Sequence, residues 1–170
     1  MGSGARGHAR RTRGDHNIQS GSAQSPPQVS RSGVCLTPRR PGDLPLLLLE
    51  REVPTGSGDA TLAVLDVGVS DPGVVVASLP DCGCDACDAG SIDFLEAIDS
   101  TISHVVGDPF VVLSGKRWRA QWHPQGGTAS NEGRGPSFEH VMDLCHRLAD
   151  GQRVRLPRHT EALVGHSWLV

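Results

Sequence analysis

A chain of 170 residues has room for one domain with one core, and 37% hydrophobic content with 21 glycines and 12 prolines predicts that part of it builds no core. The net charge of −3 hides an uneven distribution: seven arginines against two acids precede Leu44, a balance of +5, so the remainder carries −8. That acidic body excludes a polyanion-binding domain; no apolar run long enough for a signal-peptide core or a membrane span follows the basic start, so a cytoplasmic protein that binds neither nucleic acid nor membrane is expected.

Residues 1 to 43 are Gly, Ser, Arg, Gln and Pro with isolated apolar residues and no periodicity. They offer too little apolar surface to offset their ordering entropy, which predicts a disordered tail. Arg10-Arg11-Thr12-Arg13 has the composition of a nucleic-acid-binding arm, but no basic fold follows it, and a solvated tail is the better reading. A single domain over residues 44–170 is expected to follow.

Within that domain, Leu46 to Leu49 suggests a short buried strand between prolines. Thr61 to Val67 and Gly73 to Leu79 are Val- and Leu-rich, with Ser70-Asp71-Pro72-Gly73 as turn chemistry between them, which predicts an antiparallel hairpin. Ile92, Leu95, Ile98, Ile102, Val105 and Val106 recur at spacings of three and four, predicting a helix that stops at Gly107. Pro109 to Leu113 and Arg117 to His123 form a second predicted hairpin, with Trp118, Ala120 and Trp122 alternating against Arg117, Arg119 and Gln121. The tryptophans are read as core rather than as a ligand platform. Residues 124 to 136 are Gly-rich and polar, and read as a loop. Ser137 to Asp150 is a second amphipathic helix, and the tail after Arg153 adds a short strand through Val154 and Leu156. The expected fold is α+β: an antiparallel sheet of four to five strands with two packed helices, behind the disordered tail.

One stretch carries chemistry. In Asp81-Cys82-Gly83-Cys84-Asp85-Ala86-Cys87-Asp88, three of the five cysteines fall within six residues, between a predicted strand and a predicted helix. Thiolates hold zinc at about 2.3 Å, and Gly83 permits the tight curl that brings all three sulfurs to one ion. Cys82, Cys84 and Cys87 are therefore candidate ligands of a structural zinc ion. No second cysteine group supplies the fourth ligand. His104 lies too far along its own helix, Cys145 reads as core, and His123, His140, His146, Asp85 and Asp88 stay open.

A rival reading takes Cys84 and Cys87 as a redox dithiol at a helix N-terminus, although Asp81, Asp85 and Asp88 disfavour thiolates. A third makes the cysteines purely structural in a module for an unidentified protein partner, with an apolar patch near Trp118 or Trp168. No phosphate loop, nucleophile elbow or paired-histidine helix motif is present, so no catalytic residue is assigned.

At Pro80 to Asp88, and again from Leu148-Ala149-Asp150-Gly151 to Gly165-His166-Ser167-Trp168, the chain resembles a family of uncharacterised proteins of high-GC actinobacteria with a similar CGCDACD box. The resemblance runs over roughly residues 45 to 170 and implies a bacterial cytoplasmic domain without implying an activity.

Overall fold

The computed structural model describes residues 32–55, 61–81, 90–133 and 135–169. The fold is α+β, with eight strands and two helices among the described residues. The strands form two antiparallel sheets of four rather than one sheet of four or five.

The first sheet has the order β1-β2-β3-β4. At its centre β2 (Leu46–Pro54) pairs with β3 (Thr61–Val69) along nine residues, from Leu46 opposite Val69 to Pro54 opposite Thr61. The unbroken leucine run that opens β2 reflects burial on both faces: Leu46 and Leu48 enter the first core, while Leu47 is buried on the opposite side. β4 (Val75–Leu79) returns along β3 with a bulge at Val67 and Gly68. In the connecting turn the Asp71 carboxylate accepts the Gly73 N–H at 2.8 Å, and Ser70 has φ 66°.

On the outer edge, β1 (Ser32–Leu36) pairs with β2, with every residue exposed. A strand therefore lies inside the stretch read as a disordered tail, because an edge strand needs only its neighbour's backbone groups and no apolar pattern of its own. The rest of that stretch up to Arg31 lies outside the described residues.

The second sheet has the order β7-β6-β5-β8. Its strands are β5 (Phe110–Ser114), β6 (Trp118–His123), β7 (Gly126–Asn131) and β8 (Glu161–Gly165). β7 occupies the polar region read as a loop. β8 replaces the strand expected through Val154 and Leu156, whose side chains instead pack against the second core.

Alternation along β5 divides the two cores. Phe110 and Val112 join Leu46, Val67 and Val69 of the first sheet and Val105 of α1 (Gly90–Gly107). Val111 and Leu113 point the other way, to Val141, Leu144 and Cys145 of α2 (Phe138–Ala149). The second sheet is thus buried on both faces, between α2 on one side and the first sheet with α1 on the other.

Helix α2 is bounded as its sequence dictates. The Ser137 hydroxyl accepts the His140 N–H at 3.3 Å, and Gly151 takes φ 71° after the last turn. Trp118 and Trp122 pack, partly buried, against the second core and Trp168 against the first, while Leu169 beside Trp168 is 79% exposed. Arg119 ties the layers together: its guanidinium donates to the Val75 and Gly73 carbonyls, each at 3.1 Å. Neither described helix is long and apolar enough to cross a membrane.

Candidate functional site

Cys82, Cys84 and Cys87, the predicted metal ligands, lie outside the described residues, as do Asp85 and Asp88. Their flanks do not. The segment leaves β4 after Leu79, passes exposed Asp81, and rejoins the described chain at Gly90, the first residue of α1. Leu79 stands on a row that crosses the whole first sheet, opposite Leu65, which is opposite Glu50, which is opposite Ser32. The cysteine segment and the N-terminal segment therefore meet the sheet at the same end.

The distant candidates for a fourth ligand are placed elsewhere. His104 is fourteen residues beyond Gly90 on α1, roughly 21 Å along the axis. His123 stacks on it, with ring centroids 3.8 Å apart, so it shares that far end. The His123 ring nitrogen Nδ1 is 3.0 Å from Gln125 Oε1, and Gln125 Nε2 donates to Asp108 at 3.0 Å. His140 and His146 belong to α2, across the second sheet from the cysteine flanks; His146 stands edge-on to Trp122 and 3.7 Å from the Asp150 carboxylate. Cys145 is fully buried in the second core, and burial pushes its thiol up to about 12. Among the described residues no group of three His, Cys, Asp or Glu is arranged to hold a metal ion. Of the fourth-ligand candidates left open by the sequence, only Asp85 and Asp88 stand in the cysteine segment itself.

The row that leads to the cysteine segment also floors a groove of about 430 Å³ between the first sheet and the first half of α1. Leu65, Leu79, Phe94 and Ile98 give it apolar surface, and its charged lining residues are Glu50, Glu52 and Arg51. Side-chain alternation explains the mixture, since Glu50 and Glu52 of β2 share the face that carries Leu65 of β3.

On the opposite face of the same sheet Asp66 is 1% exposed, in the middle of an apolar strand. Arg51 Nε donates to its Oδ2 at 2.7 Å and Ser78 Oγ to its Oδ1 at 2.6 Å. The hydrogen bond that Arg51 donates to Asp66, outweighing the loss of hydration, holds the Arg51 pKa above its ordinary value. This arrangement, with Asp66 buried and Arg51 half-buried, fixes β2, β3 and β4 to one another. Sequence reading passed over it; the charged residue inside the run Thr61 to Val69 was its only signal.

No match is found among curated proteins or among solved structures. A family model does match, and it begins at residue 5, so it takes in the Arg-rich segment that the sequence resemblance left outside. With residues 5–170 matched, the chain belongs to the family of unknown function DUF6226.

Proposed function

We propose that this is a non-catalytic domain in which Cys82, Cys84 and Cys87 hold a structural zinc ion between the end of β4 and the start of α1. The observation that carries the reading is the uneven burial of α1. Its later turns insert Ile102, Val105 and Val106 into the first core, whereas Ile92 and Leu95 near its start are 72% and 58% exposed. Burial thus holds the second half of the helix far better than the first. Three thiolates closed on one cation immediately before the helix supply the missing restraint, since metal-binding free energy is coupled to folding. The acids Asp81, Asp85 and Asp88 favour a bound cation, and Asp85 or Asp88 completes the ligand set from within the segment. A reducing, cytoplasmic setting belongs to this reading, because it keeps the thiols available to the metal.

Metal content and thiol titration of the freshly purified chain provide the test. We expect about one zinc per chain, three thiols protected until chelator is added, and a melting temperature lowered by several degrees on chelation. A melting temperature unmoved by verified zinc removal would falsify the proposal. The start of α1 three residues beyond Cys87 favours one second reading, a Cys84–Cys87 dithiol whose thiolate the helix amides stabilise. Metal-free protein that reversibly loses two hydrogens on mild oxidation would select it.

A further inference from the structure

The Arg-rich N-terminal segment and the acidic groove meet at one end of the first sheet. Ser32, the first residue of β1, itself lines the groove together with Glu50 and Glu52. The 31 residues before it hold five arginines and one aspartate, a balance of +4, so residues 32–170 carry −7 of the total of −3. We propose that this segment docks in the groove of its own chain through Arg10-Arg11-Thr12-Arg13.

The chemistry of the two sides matches. An arginine lays its aliphatic stem on apolar surface while its guanidinium reaches a carboxylate, and the groove offers both, in Leu65, Leu79, Phe94 and Ile98 and in the two glutamates, while the cation in its lining, Arg51, is already bonded to Asp66. Every basic side chain of the segment, histidines aside, is arginine, the cation suited to paired hydrogen bonds with a carboxylate. Reach is no obstacle: the 18 residues from Gly14 to Arg31 span up to ~60 Å when extended, far more than a return to the groove requires. The family match from residue 5 makes the segment part of the sequence that the family shares. Occupancy of the groove would also cover the flank of α1 at Phe94 and Ile98, beside the cysteine segment. The docking stands whether or not zinc is bound there.

Limited trypsin digestion of the full chain tests this, reading cleavage after Arg10, Arg11 and Arg13 by mass, with cleavage after exposed Lys116 as the internal control. In E50Q/E52Q the three N-terminal sites should be cut about fivefold faster while the Lys116 rate stays the same, since exposed ion pairs are individually weak. Raising salt to about 0.5 M should bring the native chain to the variant's rate relative to Lys116, because exposed charges are then screened. Native and variant rates that agree within twofold at low salt overturn the proposal. So does protection that grows with protein concentration, which would assign the groove to the segment of a second copy. The salt series on the native chain decides the matter even if the variant proves unstable.

Discussion

His104 lays its imidazole against that of His123 with the planes inclined by 16°, at the end of α1 farthest from the cysteine segment. Burial, and then the neighbouring His123, push the His104 pKa below its ordinary 6.5, while Asp108 opposes them. Asp108 and His123 are the titratable groups that act on this ring, and Gln125 bridges them by hydrogen bonds. A histidine with a lowered folded pKa takes up its proton more readily in the unfolded chain. Its contribution to stability is therefore present above pH 6.5 and is lost as the pH falls from there through the lowered folded value. Urea unfolding midpoints between about pH 7.5 and 5 should fall more steeply for the native chain than for H104Q. Parallel curves would show that another group carries the dependence. The same pair marks what sequence could not reach at this scale. Three cysteines within six residues announce themselves, but the stacking that sets His123 beside the later turns of α1 joins residues nineteen positions apart.

At the scale of elements, β7 depends on close approach to α2. A Cβ built on Gly127 falls 2.6 Å from Met142 Sδ and 2.7 Å from the Gln121 carbonyl oxygen, whereas one on Gly126 meets nothing within 4 Å. Met142 is flexible and can yield; the backbone of β6 cannot. G127A should cost about 1–3 kcal/mol, and G126A less than about 1 kcal/mol, in urea unfolding. Equal effects would mean that backbone entropy, not contact, governs the strand. The comparison also explains which strands could be read in advance. Val- and Leu-rich β3, β4 and β5 carry their own apolar signal, as do the helices through their three-and-four spacing. The strands that escaped notice, β1, β7 and β8, are all sheet edges. β1 and β7 consist largely of exposed residues held by one neighbour's hydrogen bonds, and Gly126-Gly127-Thr128 argues for a loop on composition alone. β8 places only Ala162, Leu163 and Val164 in the cores, too short a run to outbid Val154 and Leu156.

The whole molecule is organised by β5, because its alternate side chains belong to different cores. Val111 is fully buried against α2, and Val112, 2% exposed, faces the first sheet and α1. Neither core can lose its share of β5 without exposing apolar surface in the other. Arg119 adds a second connection, from β6 to the turn and strand beyond β3. This architecture requires the layers to unfold together, although the sequence suggested only a single sheet with helices and gave no sign of two cores. Val111→Ala and Val112→Ala each remove two methyl groups from a filled site and should each cost about 1.5–3 kcal/mol. Both variants should keep one transition, with far-ultraviolet circular dichroism and tryptophan fluorescence giving the same midpoint. The tryptophans report from both sides, Trp118 and Trp122 at the second core and Trp168 at the first. If Val112→Ala instead separated the two signals, with the first core melting before the second, β5 would be a boundary between two folding units rather than the strand that makes them one.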